Sequence, residues 1–296
     1  LQLMPLQGRL IDALWLAFGG SRLGALARLP GEFPGLQIFP AVSNPPPDQR
    51  GKPPGKGATM RAFLYHLVVQ QGVADPRTVV AFLDADIRPP YFSPRWVVDP
   101  VGAVLWFKEA WGAKVVYHRP RGGRLNAMVR ALLALCPHPG VQSLQKLAYL
   151  LSGEMAGTLG LWTTLPFKSG YGVELLILLT FALNRLGLSP GRPDLHHLVQ
   201  VHLGHMDHRH APINSTVRRR GLDQMAGAVF HTLLETLGQE GLLGWKPGEE
   251  PPRLAIPLPP GPGAAIPRWF TVTLGDATFP PLITLPEVRQ ALEKEG

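Results

Sequence analysis

Apolar and polar residues alternate along the chain with two different spacings, one typical of helices and one typical of strands. Helices are predicted where apolar residues recur every three to four positions or fill a longer stretch, at 58–73, 124–136, 142–152, 173–186 and 221–243. Short alternating or β-branched runs predict strands at 36–39, 78–83, 113–117 and 199–203. Residues 9–18 fit either element. Helices that alternate with strands predict an α/β architecture.

The run from Thr78 to Leu83 is continuously apolar and is bounded by Pro76 and Asp84. Such a run is typical of a strand buried on both faces of a parallel sheet. Residues 44–57 are rich in Pro, Gly and Lys and predict a loop. Residues 246–268 are rich in proline and predict irregular structure.

Composition narrows the class of protein. The 296 residues are 45% hydrophobic, enough to bury a sizeable core, and the net charge of +8 favours anionic partners such as phosphorylated small molecules. The single cysteine, Cys136, excludes an internal disulfide and a Cys-rich metal motif, which suits a cytoplasmic location. We expect no membrane span, since no stretch of about 18 uncharged apolar residues occurs, and we find no convincing signal peptide.

Two carboxylates follow the strand predicted at 78–83. Ligands of open α/β sheets bind outside the carboxyl ends of the strands, where Asp84 and Asp86 are expected. Two carboxylates so close repel each other unless a cation lies between them, and oxygen ligands suit Mg²⁺ or Mn²⁺ together with substrate phosphates. The tripeptide alone is also compatible with a solvated turn. The preceding strand favours the metal–diphosphate site.

A lysine between glycines, Pro54-Gly55-Lys56-Gly57, leads into the helix predicted at 58–73. Glycines let backbone N–H groups approach phosphates, and a helix N-terminus favours anions. The Walker pattern is absent. The loop is therefore either a phosphate-binding loop or a flexible surface loop.

Histidines are unusually dense between residues 196 and 210. One of them could complete a metal shell that begins at Asp86. Zinc is the competing interpretation, because His-x-x-His spacing occurs at 202–205 and 205–208. The aspartate pair favours a hard ion instead.

Several motifs occur in a fixed order: Pro54-Gly55-Lys56-Gly57, Phe82-Leu83-Asp84-Ala85-Asp86, Gly122-Gly123-Arg124, Ser152-Gly153-Glu154, Gly170-Tyr171-Gly172-Val173-Glu174, and Val201-His202-Leu203-Gly204 with Asp207-His208-Arg209. This series, over about residues 50–240, resembles the glucosyl-3-phosphoglycerate synthases and the related mannosyl-3-phosphoglycerate synthases. The resemblance implies a retaining glycosyltransferase with the GT-A fold. That fold is a Rossmann-like, mixed and mainly parallel sheet flanked by helices, here with a helical and Pro-rich C-terminal part.

The resemblance also implies roles for residues on the donor side. Asp86 and His208 would hold the divalent ion, Mg²⁺ or Mn²⁺. The donor, UDP-glucose or GDP-mannose, would contact the following residues: Lys56, Gly57, Asp84, Gly153, Glu154 and Glu174. Glu174, expected on the sugar hydroxyls, could alternatively cap the helix that follows it.

On the acceptor side the resemblance implies a small phosphorylated acceptor such as 3-phosphoglycerate. Its anionic groups would contact residues of three motifs: Gly123, Arg124, Asn126, Tyr171, Arg209 and His210. Arg124 suits this role because a guanidinium binds such anions in a bidentate way. Asp86, Glu174 and Arg124 are the predicted catalytic residues.

The sequence departs from the family pattern at three places. Asn126 stands where the family usually has Thr, and His210 stands where it usually has Asn. The family's first strand ends in a turn with acids that hold the base, and only Met4-Pro5-Leu6-Gln7-Gly8 could replace it, without the acids.

We therefore predict a nucleotide-sugar half at 1–120, an acceptor half at 121–243 and a Pro-rich C-terminal extension at 244–296. The predicted activity is retaining transfer of glucose or mannose to 3-phosphoglycerate or a similar anionic acceptor. A sugar-phosphate nucleotidyltransferase and a non-catalytic, degenerate ligand-binding homologue are the alternatives. No nucleic-acid partner is expected, and the family relationship implies a homodimer.

Overall fold

The computed structural model describes residues 11–20, 24–118, 124–207, 222–242, 253–258, 268–273 and 277–293. The strands are β1 (Leu14–Phe18), β2 (Leu36–Pro40), β3 (Val79–Phe82), β4 (Gly112–His118), β5 (Met155–Thr158), β6 (Phe167–Lys168), β7 (Leu198–His205), β8 (Arg253–Leu258), β9 (Arg268–Thr273) and β10 (Thr278–Phe279). The α-helices are α1 (Leu29–Glu32), α2 (Lys56–Tyr65), α3 (Arg95–Trp106), α4 (Arg124–Leu135), α5 (Pro139–Ser143), α6 (Leu159–Thr164), α7 (Val173–Ala182), α8 (Leu222–Gln239) and α9 (Pro286–Glu293).

A mixed four-stranded sheet in the order β3-β5-β4-β7 forms the centre of the fold. Strand β4 runs parallel to β7, with Ala113 opposite Val199, whereas β5 is antiparallel to both β3 and β4. Strands β1 and β2 form a separate parallel pair. The predicted α/β architecture with a mixed sheet is confirmed.

The predicted strands are all present, and residues 14–18 settle the ambiguous first segment as strand β1. Strand β3, however, differs from the expectation of a parallel strand buried on both faces. Val80 is the one buried residue of β3, and within the described residues β3 pairs antiparallel with β5, with Val80 opposite Gly157. The apolar character of β3 thus reflects helix packing on the sheet as well as its pairing.

Helices α2, α4, α7 and α8 confirm the helices predicted at 58–73, 124–136, 173–186 and 221–243. Helix α2 continues as a π-helical turn over His66–Gln70. Helix α7 is apolar all round, and all ten of its residues are buried, because other helices and the small β6–β10 sheet cover it. It ends at Ala182, and Asn184 adopts a positive φ of 53° after it. This central helix fixes where its first turn, with Glu174, is placed.

The helix predicted at 142–152 is wrong. Helix α5 ends at Ser143, a 3-10 turn covers Leu144–Lys146, and the chain then runs without regular structure to β5. Its backbone groups bind side chains instead of helical partners: Asn126 Oδ1 accepts a hydrogen bond from Leu150 N at 2.7 Å, and Arg130 donates to Leu147 O and Ala148 O. Local spacing predicted a helix, but these tertiary partners satisfy the backbone in another conformation.

The Pro-rich segment is also more ordered than predicted, since residues 253–258 form strand β8, which pairs antiparallel with β9. Pro257 is tolerated because a two-stranded ribbon consists of edge strands only. Beyond it, the chain packs back on α2. Arg61, fully buried in α2, donates to Pro280 O at 3.1 Å and to both carboxylate oxygens of Asp48. Among the described helices, none is long and apolar enough to cross a bilayer.

Candidate active site

Asp84 and Asp86 lie directly after β3, at the carboxyl end of an outer strand of the four-stranded sheet. Asp84 is partly buried and faces the interior of the site, whereas Asp86 is exposed. The two aspartates therefore have different surroundings, although only one residue separates them.

Lys56 is the first residue of α2, and its ammonium joins two carboxylates. Its Nζ lies 2.5 Å from Asp84 Oδ1, 2.8 Å from Asp84 Oδ2 and 2.7 Å from Glu174 Oε1. Burial lowers the pKa of Lys56, but Glu174, Asp84 and Glu154 outweigh that effect and raise the pKa above its usual range. Lys56 is thus a permanent cation at the end of β3.

Glycines bring this lysine close to the rest of the site. A Cβ on Gly57 would lie 1.9 Å from Lys168 O, and a Cβ on Gly55 would lie 2.5 Å from Ser169 O. Ala58 N also donates to Ser169 O at 2.9 Å. The start of α2 therefore packs against the backbone after β6 more closely than any other residue type would allow.

Glu174 lies in the first turn of α7 and is almost fully buried. Its carboxylate pairs with Lys56 Nζ at 2.7 Å. A negatively charged side chain is favourable in the first turn of a helix, because it lies at the positive end of the helix dipole. The contact with Lys56 places Glu174 next to Asp84, and its predicted role on the sugar hydroxyls stays a prediction.

Gly153 lies against the Lys56–Asp84 pair from the side of β5. A Cβ at this position would be 2.0 Å from Lys56 Nζ and 2.5 Å from Asp84 Oδ2. The residue after it, Glu154, is fully buried and accepts a hydrogen bond from Tyr117 Oη at 3.1 Å. The Ser152-Gly153-Glu154 motif thus reaches the predicted donor site through its backbone, while the Glu154 side chain lies in the interior.

Two buried groups next to Lys56 and Asp84, the side chains of Glu154 and Lys114, have strongly shifted pKa values. Burial raises the pKa of Glu154 to about 7, with Asp84 adding to the effect and Lys56 opposing it. Burial lowers the pKa of Lys114 to about 8, while Glu174 and Glu154 oppose that effect and Lys56 reinforces it. Sequence reasoning missed Lys114. The sequence feature that could have revealed Lys114 is its charge within the otherwise apolar run 113–117. In the structure Lys114 is completely buried.

The predicted metal ligands lie on segments that meet. Arg88, two residues after Asp86, donates its backbone N–H to Asp207 O at 3.0 Å, and Arg88 Nη1 lies 3.4 Å from Asp207 Oδ2. Asp207 immediately precedes His208, which lies outside the described residues. Within the described residues no three His, Cys, Asp or Glu side chains form a metal-binding group. The fit of the site to a hard ion rests on the carboxylate of Asp86, a predicted ligand, and on this contact between the two segments.

The acceptor side is described only in part. Gly123, Arg209 and His210 lie outside the described residues, and so does the side chain of Arg124, which begins α4. Asn126 is buried, and its Oδ1 binds Leu150 N. Tyr171 is exposed in the turn before α7. The predicted acceptor roles of these residues stay predictions.

The site uses residues from both predicted halves of the chain. Lys56 and Asp84 belong to residues 1–120, whereas Gly153, Glu154 and Glu174 belong to residues 121–243. Asp84, Glu174 and Gly153 lie next to Lys56 Nζ, and Glu154 lies behind Gly153 in the interior. The division into two halves remains a prediction about chain organisation.

No protein-family model matches the chain, but the chain is similar to curated proteins and to solved structures. The chain is 30% identical over 247 residues to the glucosyl-3-phosphoglycerate synthase of Mycolicibacterium smegmatis, a match that covers 79% of this chain and 70% of the relative. It is 33% identical over 201 residues to the enzyme of the same name from Mycobacterium tuberculosis, covering 62% of this chain and 53% of that relative. The chain thus spans only about half the length of the second relative.

Solved structures show the same relationship. The crystal structure of glucosyl-3-phosphoglycerate synthase from Mycobacterium tuberculosis in complex with Mn²⁺, UDP and glucosyl-3-phosphoglycerate matches with a TM-score of 0.69 and 27% identity, over 95% of this chain and 83% of that one. Mannosyl-3-phosphoglycerate synthase from Rubrobacter xylanophilus matches with a TM-score of 0.70 at 24% identity, over 93% of this chain and 80% of that one, and indicates the fold. The chain belongs to the glucosyl-3-phosphoglycerate synthase family of metal-dependent glycosyltransferases with the GT-A fold.

Proposed function

We propose that this enzyme transfers glucose from UDP-glucose to 3-phosphoglycerate, with Mg²⁺ or Mn²⁺ and with retention of the α-configuration. The relatives of this name, and the neighbouring structure with Mn²⁺, UDP and glucosyl-3-phosphoglycerate, support this choice of donor and acceptor. GDP-mannose is the second donor to test, because mannosyl-3-phosphoglycerate synthase has the same fold.

One observation supports the proposal most directly. Lys56, Asp84 and Glu174 lie together at the end of β3, and the backbone of Gly153 packs against Lys56 and Asp84. An ammonium has three donors, and Lys56 Nζ contacts three carboxylate oxygens, two of Asp84 and one of Glu174, so a diphosphate oxygen would replace one of these contacts. Asp84 and Glu174 are acceptors for ribose and sugar hydroxyls. A compact cation beside hydroxyl-binding carboxylates is what a nucleotide-sugar donor requires.

Holding donor and acceptor together supplies a large part of the rate, because a bimolecular reaction becomes effectively unimolecular. When bound, the metal ion neutralises charge that develops on the departing diphosphate. The bond between the sugar C1 and UDP breaks, the acceptor oxygen bonds to C1 from the same face, and the acceptor proton passes to the leaving phosphate oxygen. Asp86 and His208 would hold the ion.

The positions of the buried carboxyl groups favour this front-face route over a covalent intermediate. Glu174 is bound to Lys56, and Glu154 is fully buried beside Tyr117. We propose that Glu174 binds sugar hydroxyls without attacking the sugar C1, and that Glu154 stays in the interior. For the acceptor, we propose that Gly123, Arg124, Arg209 and His210 bind its phosphate and carboxylate.

The decisive experiment incubates the chain with UDP-glucose and 3-phosphoglycerate, with and without Mn²⁺, and follows the products by mass spectrometry. We expect UDP and glucosyl-3-phosphoglycerate in the presence of metal. Pyrophosphate release would instead indicate a nucleotidyltransferase. UDP binding without turnover of either UDP-glucose or GDP-mannose would indicate the non-catalytic alternative.

Variants test the metal assignment separately. Asp86→Ala and His208→Ala are expected to abolish turnover, because each removes a ligand of the ion. Asp99→Ala, which removes a carboxylate that pairs with Arg95 on α3, serves as the matched control and should retain wild-type turnover. Wild-type rates in either metal-site variant would refute the assignment. The homodimer and the cytoplasmic location also remain proposals, and light scattering coupled to size exclusion tests the former.

A further inference from the structure

A buried segment without regular structure, residues 147–154, connects the acceptor side of the enzyme to its donor side. We call it the crossing segment. It follows the 3-10 turn after α5 and leads into β5, and Leu150, Ser152 and Glu154 in it are fully buried. Buried backbone groups outside helices and sheets need other partners, and here side chains provide several of them.

These side chains come from different elements. Asn126 in α4 accepts a hydrogen bond from Leu150 N, and Lys114 in β4 donates to Ser152 O at 2.7 Å. Gln200 in β7 accepts from Ala148 N at 2.7 Å at the exposed end of the segment. Lys114 and Gln200 are neighbours in the register of β4 and β7, but Gln200 binds the end of the segment remote from Gly153, whereas Lys114 binds the residue next to Gly153.

A lysine is unusual at position 114, because the side chain is completely buried. No carboxylate of the described residues lies within 4.0 Å of its Nζ. A buried ammonium without an ion pair is unfavourable, and a neutral donor could make the same hydrogen bond to a carbonyl. A stabilising role for the core therefore does not explain why a charged residue occupies this place.

The neighbouring residue explains what the Ser152 carbonyl controls. Gly153 approaches the Lys56–Asp84 pair so closely that a Cβ on it would lie 2.0 Å from Lys56 Nζ. If Ser152 O lost its donor, the peptide unit would turn to find another partner. Gly153 would then move against Lys56 and Asp84.

The charge of Lys114 acts on the same groups. The charged side chains that act on it from the surrounding elements are Glu154 before β5, Glu174 in α7, Asp84 after β3 and Lys56 in α2. The cluster contains three carboxyl groups, Glu154, Glu174 and Asp84, and two ammonium groups, Lys56 and Lys114. Without Lys114, one cation would have to balance the carboxyl groups and attract the diphosphate as well.

We propose that Lys114 is a positioning residue for the donor diphosphate site, acting through Ser152 and Gly153 on Lys56 and Asp84. This proposal deepens the proposed function and rests on it. Lys114 does not touch the donor. It fixes the backbone against which the donor-binding lysine is held, and it supplies a second positive charge beneath that lysine.

Isothermal titration of UDP in the presence of Mn²⁺ tests the role directly. A misplacement of about 1 Å costs up to ~100-fold in related settings, so we expect Lys114→Met to weaken UDP binding at least about tenfold. The stoichiometry should stay near one, because a folding defect lowers the number of competent sites and not their dissociation constant. The KM for UDP-glucose should rise by a similar factor, about tenfold, and more than the KM for the acceptor.

Two further variants complete the experiment. Gln200→Leu removes a hydrogen bond to the exposed end of the crossing segment and should leave UDP affinity unchanged. Lys114→Gln keeps an N–H donor without the charge and should recover part of the affinity. A dissociation constant in Lys114→Met or Lys114→Gln equal to that of the wild type would overturn the role of Lys114. Failure of the wild type to turn over UDP-glucose, with normal UDP binding, would overturn the proposed function alone.

Discussion

Replacing Gly153 by alanine tests whether the close packing over Lys56 is needed for activity. The new Cβ would lie 2.0 Å from Lys56 Nζ and 2.5 Å from Asp84 Oδ2, while real contacts of this kind stay above 3.0 Å. The ammonium must therefore retreat by about 1 Å, since flexible side-chain ends move more easily than backbone. This movement breaks the contacts of 2.5 and 2.8 Å between Lys56 and Asp84.

A displacement of this size at a group that orients the substrate costs on the order of 100-fold in rate. We expect kcat/KM for UDP-glucose to fall by about that factor, equivalent to ~2.7 kcal/mol. Stability should fall less, because Lys56 is a side chain that can adjust its rotamer. Steady-state kinetics with 3-phosphoglycerate and a urea unfolding curve measure the two effects separately.

Gly102 provides a matched control, because it lies within α3 and a Cβ built on it meets nothing within 4 Å. Gly102→Ala should stabilise the helix by roughly 0.5–1 kcal/mol and leave the kinetics unchanged. The reasoning is refuted if Gly153→Ala retains kcat/KM within about threefold of the wild type, a difference of less than ~1 kcal/mol.

Two further predictions concern buried charges elsewhere in the network. Because burial raises the pKa of Glu154 to about 7, the folded state keeps a proton that the unfolded state releases near pH 4.5, and the free energy of unfolding should fall by an amount on the order of 3 kcal/mol as the pH rises between those values. Glu154→Gln should abolish this dependence of stability on pH in urea titrations at pH 5 and pH 8. An unchanged dependence in the variant would show that Glu154 does not cause it. Arg61→Met leaves Asp48 and Pro280 O without their buried donor and should destabilise the fold by about 3 kcal/mol, whereas Arg77→Met, at an exposed pair with Asp75, should not shift the unfolding midpoint measurably.

The sequence was informative where local pattern and chemistry coincide. The strand before Asp84, the glycines around Lys56 and the apolar helix after Glu174 all leave local signals, and each was found. Lys56, Asp84 and Glu174 lie within one cluster, as the family resemblance implied.

What escaped prediction depends on partners distant in sequence. The segment after Ser143 has helical spacing but is held by Asn126 and Arg130, which no local pattern reveals. Helix α3 contains Pro100, a residue that argues against a helix when read locally. The burial of Lys114 depends on the pairing of β4 with both β5 and β7, which is a property of the sheet and not of residues 112–118 alone.

The contact between Arg88 and Asp207 has a consequence for the order in which the enzyme folds. These residues follow β3 and β7, the two outer strands of the four-stranded sheet, which lie about 14 Å apart at ordinary strand spacing. Closing the chain between Arg88 and Asp207 costs loop entropy that one contact offsets only in part, so we expect this edge of the sheet to form after the strands have paired. A divalent ion held by Asp86 and His208 would join the same two ends. Metal binding would then act as the last folding step, and a chelator should open this edge to hydrogen exchange before the rest of the sheet.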